Sequence, residues 1–160
     1  MEGIQIPPLN QDDREWLKQF MIDAWGSEKV VSRGIIHEAY LLPGFAASIS
    51  GELAGIVTYN IADNQCEIVT LDSIIDNAGA AWANIQAVMD ASRREGCKRL
   101  WLITTNDNMH ALRYYQKRGF TIAAIHVNAI EHSRKLKPQI PHIGMDGIPL
   151  RDEIELEMKL

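Results

Sequence analysis

The hydrophobic pattern of this chain changes period part-way along, and that change limits the fold more than any other feature. Residues 45–49 and 53–59 alternate as strands do, and Ser50-Gly51 between them is a hairpin signal. "ADNQ" at 62–65 marks a second turn and leads into the strand-like "CEIVTLDSI". Three antiparallel strands in a row are expected here. The spacing then becomes helical. Ala81, Ile85, Val88, Met89 and Ser92 share one face, Arg93 and Arg94 occupy the last turn, and Gly96 is a ready C-cap. "KRLWLITT" returns to a strand, with Leu100 and Leu102 on one side and Trp101 and Ile103 on the other, so both faces are expected to be buried.

The remaining elements fit around these. Pro7 and Pro8 separate a short strand-like start from a helix that Asn10 can cap, with Asp13 in its first turn. Trp16, Leu17, Phe20, Met21 and Ala24 form its apolar stripe, and Gly26 ends it. Residues 27–42 read as a second short helix and a loop. Asn108 starts a further helix, which Gly119 stops. "FTIAAIHV" is a strand, "AIEHSRKLK" a short basic helix with a solvated face, and Asp146-Gly147 a turn in a long loop. "EIELEMKL" closes the chain as an alternating strand, with Glu153, Glu155 and Glu157 on one acidic face, solvated or turned toward an acceptor. Strands in series followed by alternating strands and helices give an α/β fold: a mixed central sheet of about seven strands with helices on both faces. A helix joining two parallel strands starts at the carboxyl end of the sheet, where such folds bind ligands.

A length of 160 residues fits a single domain spanning 1–160. A net charge of -5 argues against nucleic-acid and anionic-membrane partners. Cys66 and Cys97 read as two reduced thiols, and the five histidines lack ligand spacing, so no metal is expected. The start "MEGIQIPPLN" has no leader pattern and no apolar run reaches transmembrane length, so a soluble, cytoplasmic chain is expected.

Three stretches together resemble the GNAT superfamily of N-acetyltransferases: "EIVTLDSIIDNAGAAWANI", "RREGCKRLWLITTNDN" and "NDNMHALRYYQKRGF". The last is similar to that superfamily's Asn-x-x-Ala-x-x-Leu/Phe-Tyr-x-x-x-Gly-Phe segment through Asn108, Ala111, Tyr114, Tyr115, Gly119 and Phe120. The tail "GIPLRDEIELEMKL" looks like the end of one bacterial branch. The resemblance implies the GNAT-like acyl-CoA N-acyltransferase fold, with acetyl-CoA as co-substrate between "EIVTLDS" and "KRLWLITT". It implies that the pantetheine arm pairs with the first of these strands, through amides at Leu71 and Ser73. A backbone N–H there would also stabilise a developing oxyanion.

The superfamily's pyrophosphate loop, Gln/Arg-x-x-Gly-x-Gly/Ala, falls on residues 76–81, "DNAGAA". Ala78, Gly79, Ala80 and Ala81 would form the cradle. Gly79 and Ala81 fit the pattern; Asp76 does not, Ala78 stands where close relatives often carry Arg, and Trp82 replaces a small residue. The N–H groups and dipole of a helix start need no side chain to hold a phosphate. One missing charged hydrogen bond costs about 1.5–3 kcal/mol. Asp76 or Asn77 is expected to cap the empty helix. The loop therefore reads as a weakened cradle, and the competing reading is a plain strand–helix turn.

For the chemistry, Tyr115 is the candidate general acid, a phenol able to protonate a departing thiolate; the competing reading is a core aromatic. Tyr114 lies about 100° round the helix and reads as packing. Asn108 is a helix cap, a contact to the CoA arm, or both. Glu67 is the candidate base, against an exposed strand carboxylate, and Asp72 is a second choice. The implied activity is transfer of an acetyl group from acetyl-CoA to a primary amine of a small molecule or peptide, by a monomer or homodimer. The alternative is a non-catalytic CoA-binding or protein-interaction relative.

Overall fold

The computed structural model describes residues 3–160. Two compact units divide the chain: one holds the described residues up to Val30, with Glu38–Leu100 and Leu160; the other holds Val31–His37 and Trp101–Lys159.

The first unit contains strand β1 (Ile4–Gln5), helix α1 (Arg14–Trp25), strands β4 (Gly44–Ile49), β5 (Glu52–Ala62) and β6 (Gln65–Ser73), and helix α2 (Ala80–Arg94). Strands β2 (Lys29–Ser32) and β3 (Ile35–Glu38) form a separate hairpin, most of which belongs to the second unit. The first unit's four sheet strands run in the order β1-β4-β5-β6, every pair antiparallel. The two turns expected from sequence are present, and both are left-handed at their central residues: Ser50 (φ 52) with Gly51 (φ 79), and Asp63 (φ 53) with Asn64 (φ 59). That geometry matches the twist of a tight hairpin.

Alternation along β5 places the two helices of this unit. Ile56 packs with Leu17 and Met21 of α1, while a Cβ at Gly55 would meet Ala80 and Asn84 of α2. Successive strand residues face opposite ways, so α1 and α2 cover opposite faces. Leu17 and Met21 are fully buried, worth roughly 1.5–3 kcal/mol each. The 3-10 turn Gln11–Asp13 that leads into α1 is fixed by a capping box, in which the Asn10 side chain accepts from Asp12 N–H at 2.9 Å and Asp13 accepts from Asn10 N–H at 2.8 Å. Gly26 ends it with φ 78.

The second unit holds β7 (Arg99–Thr105) from Trp101 onward, α3 (Met109–Lys117), β8 (Thr121–His126), α4 (Ala129–Leu136) and β9 (Glu153–Lys159), with sheet order β7-β9-β8. The chain thus has the mixed, seven-stranded α/β architecture expected of it. Among the described residues no helix is long and apolar enough to cross a membrane.

Four expectations are corrected. Residues 27–42 hold the β2–β3 hairpin and a 3-10 turn at Ala39–Leu41 rather than a second helix. Val30, Val31, Ile35 and Ile36 are β-branched and flank Arg33-Gly34, whose φ values of 49 and 73 make a hairpin turn. The acidic face of β9 is not solvated: Glu153 is 1% exposed and Glu155 is half-buried against His126, 3.0 Å away. Trp101 and Ile103 on β7 are half-buried, so only its Leu100–Leu102–Thr104 side is closed. The basic face of α4 is not wholly solvated either. Arg134 donates to the carbonyls of Ile140, Pro141 and Leu150 and staples the long loop to the helix.

Candidate active site

In the first unit the centre of interest is β6 and the start of α2. Strand β6 pairs with β5 from Gln65 opposite Ala62 to Ser73 opposite Gly55. Ile68 lies opposite Tyr59 and Thr70 opposite Thr58, so Val69 is an extra residue, a β-bulge. The bulge re-phases the strand. Cys66 lies beside Ser92 of α2, so Glu67 faces the α1 side. Thr70 and Asp72 share that side, because they stand opposite Thr58 and Ile56. Glu67, Thr70 and Asp72 thus share one face. Glu67 is 6% exposed, not the exposed strand carboxylate of the competing reading. Thr58 and Thr70 are buried and join their hydroxyls at 2.6 Å.

Asp72 stands between Leu71 and Ser73. Its Oδ1 accepts from the Trp25 indole N–H at 3.0 Å, and its Oδ2 is buried with no hydrogen-bond partner. Burial pushes its carboxyl up to about 6, with the Trp25 hydrogen bond opposing.

After β6 the chain turns sharply. Ile74 and Ile75 both donate to the Ala54 carbonyl, at 2.8 and 3.1 Å, and Ser73 donates to the Ile75 carbonyl at 3.3 Å. Asn77 (φ 57) and Gly79 (φ 79) are left-handed. Gly79 is the N-cap of α2, its carbonyl takes Ala83 N–H at 3.0 Å, and no side chain caps the helix. The expected capping by Asp76 or Asn77 is therefore absent; both side chains are exposed. Among the described residues no side-chain oxygen sits on the N–H groups of Ala80 and Ala81 that open the helix, the condition under which an anion is taken up. No Lys or Arg occurs between Ile74 and Ser92, so within this segment the positive potential comes from the backbone. Gly55 allows α2 to come this close, since its Cβ would stand 2.9 Å from the Asp72 carbonyl and 3.3 Å from Asn84 Nδ2. Asn84 is fully buried, and neither end of its amide has a hydrogen-bond partner. Trp82 is half-buried.

In the second unit, β7 runs into a braced corner. Asn106 Oδ1 accepts from Arg151 and Asp152 N–H, both at 3.0 Å, and its amide donates to the Pro149 carbonyl at 2.9 Å. Asp107 takes Thr105 Oγ1 on one oxygen and Met145 N–H at 2.8 Å on the other. Gly144 is required there, because a Cβ would collide with the Asp107 carboxylate. Asn108 caps α3, its Oδ1 accepting from Ala111 N–H at 3.1 Å. About two helical turns on, Tyr115 is half-buried between Tyr114 and Phe120, edge-on to both, with ring centres 5.4 and 5.5 Å away. Phe120 is 2% exposed and anchors the pair. Tyr114 instead carries Arg118 over its ring at 3.8 Å, a packing arrangement; burial raises its phenol, with Arg118 opposing.

The structure therefore brings Glu67, Leu71, Ser73 and the Ala78–Ala81 turn together in one unit, and Asn108 with Tyr115 in the other. Sequence reasoning missed the bulge, the Trp25–Asp72 contact, the Asn106–Asp107 brace and the ion pair between Arg33 and Glu153.

A family model described as "Acetyltransferase (GNAT) family" matches residues 11–120. The chain belongs to the GNAT acetyltransferase family. The protein is thus an acyltransferase enzyme, and the reading as a non-catalytic relative falls. It is 43% identical over 150 residues to the uncharacterized protein YdhI of Bacillus subtilis, across 93% of this acetyltransferase and 94% of that protein. It also resembles the solved structure of the IAA acetyltransferase from Bacillus cereus, at TM-score 0.75 and 22% identity, covering 99% of this chain and 100% of that one. A Bacillus subtilis acetyltransferase solved in complex with CoA matches at TM-score 0.67 and 20% identity, over 100% and 99% of the two chains. These two structural likenesses concern the fold.

Proposed function

We propose that this acetyltransferase moves the acetyl group of acetyl-CoA directly onto a primary amine of a small molecule or peptide. The observation that carries the reading is the start of α2: a left-handed Gly79 and no side-chain cap, at the end of a bulged strand. The structure of the Bacillus subtilis acetyltransferase in complex with CoA supports the choice of co-substrate. The pyrophosphate sits against the amides of the Ala78–Ala81 turn, and the pantetheine arm pairs with β6 at Leu71 and Ser73. Asn108 meets the CoA arm as well as capping α3.

Glu67 takes a proton from the ammonium, which is mostly charged at neutral pH because its ordinary pKa is roughly 10. The amine nitrogen attacks the thioester carbonyl, the carbon–sulfur bond breaks, the thiolate takes a proton from Tyr115, and the surplus proton on the new amide nitrogen passes through solvent to restore the Tyr115 phenol. The β6 amides steady the oxyanion between those steps. Residues 1–160 act as one domain, as a monomer or homodimer. Two free, buried thiols support a reducing, cytoplasmic setting.

The test is release of free CoA thiol from acetyl-CoA across a panel of primary amines, with the product weighed by mass spectrometry. An amine gaining one acetyl group supports the reading. Acetyl-CoA turnover that no amine accelerates, with acetylation only of hydroxyl compounds, contradicts it.

A further inference from the structure

Glu153 opens β9 beside the braced corner at the end of β7. Its side chain is 2% exposed, and a single residue serves both of its oxygens. Oε1 takes Arg33 Nη1 at 3.0 Å, and Oε2 takes the Arg33 backbone N–H at 3.2 Å. Arg33 is the tip of the β2–β3 hairpin, left-handed at φ 49. That hairpin is a sheet of its own, two strands of four residues each, a size that is marginal alone in water. Ile35 and Ile36 beside the tip are 59% and 45% exposed, so apolar packing anchors the tip weakly. The corner next to it is different in kind, since Asn106 and Asp107 are tied by five hydrogen bonds to fixed backbone and side-chain groups.

A buried ion pair is a poor way to gain stability, because well-packed apolar residues often do as well. It does leave a buried carboxylate that is costly to ionise without a cation beside it. Strand carboxyl ends are where folds of this class take ligands, and Glu153 lies at that end of β7. We propose that Glu153 is the subsite for a second cationic group on the acceptor, with Arg33 occupying it as a built-in surrogate until the acceptor displaces it. The acceptor class is then a diamine or an amine bearing a guanidinium group, and the hairpin is the lid that moves. This rests on the amine-acetylating reading above.

The test is calorimetric titration with agmatine, which carries an amine and a guanidinium, against butylamine, which carries the amine alone. Arg33→Ala should tighten agmatine by about ten- to a hundred-fold, the worth of one charged hydrogen bond freed from internal competition. Butylamine affinity should not change, and the double variant Arg33→Ala, Glu153→Gln should lose the gain. Unchanged or weaker agmatine binding in Arg33→Ala, or a gain that survives Glu153→Gln, overturns the proposal. Should Arg33→Ala not fold, hydrogen exchange of the unaltered protein decides. Agmatine should speed exchange of the amides at 31–36, and no change there overturns the proposal. Acetyl-CoA titrated separately distinguishes the two failures: its failure to bind counts against acetyl transfer, whereas the agmatine results bear on Glu153.

Discussion

Tyr115 and Tyr114 are neighbours in sequence with different surroundings, and the difference predicts different chemistry. Tyr114 is spent on Arg118, while Tyr115 is set by Phe120 and is the acid proposed above for the departing thiolate. Tyr115→Phe should lower turnover by about 10²–10⁴-fold, the usual worth of a general acid, with acetyl-CoA affinity nearly unchanged. Tyr114→Phe should alter turnover far less. Equal effects in steady-state kinetics would remove the assignment. Asp72 gives a prediction about stability. Its carboxyl is held up to about 6 chiefly by burial, so the folded state keeps a proton that the unfolded chain has already lost above its ordinary 3.8. Stability should therefore fall as pH rises from about 4 to about 6, by at most about 3 kcal/mol, and level off above that. Urea titrations across that window should show the slope, and Asp72→Asn should flatten it. A stability that rises through the window in the unaltered protein and is unaffected by the substitution contradicts this account of Asp72.

Among the elements, α2 carries most of the argument, because its first turn is held by backbone alone. Asp76 is exposed and does not cap the helix, so its effect on an incoming phosphate is repulsion and not competition for the same N–H groups. Asp76→Gln and Ala78→Arg should each tighten acetyl-CoA, the second by up to the worth of one charged hydrogen bond, about 1.5–3 kcal/mol. Both gains should shrink in high salt. Dissociation constants at low and high salt check this, and folded variants showing no gain would mean that phosphate does not sit here. Element identity was legible wherever a segment was long enough for its period to show, as in β5, β6 and α2. The β2–β3 hairpin was not: four-residue strands hold too few residues to separate the two periods, and the cues were the Arg33-Gly34 turn and its β-branched flanks. The bulge at Val69 was also hidden, because one inserted residue re-aims Glu67 while leaving the apolar composition of the strand unchanged.

At the scale of the whole molecule, the sequence carried the fold class and most of the candidate site, since both follow from local patterns and from the Asn108–Phe120 segment. It could not carry what depends on partners far along the chain. Glu153 read as one of three carboxylates on an acidic face, solvated or turned toward an acceptor, because Arg33 lies 120 residues away. Trp25 and Asp72, 47 residues apart, were likewise unconnected on the page of the sequence. The central claim is that acetyl-CoA is received along β6 and on the opening turn of α2. Amide hydrogen exchange, resolved to single residues with and without acetyl-CoA, tests it most directly. The account predicts slowed exchange at Leu71, Ser73 and Gly79 to Ala81; binding of acetyl-CoA with those amides unchanged, and protection elsewhere, would contradict it.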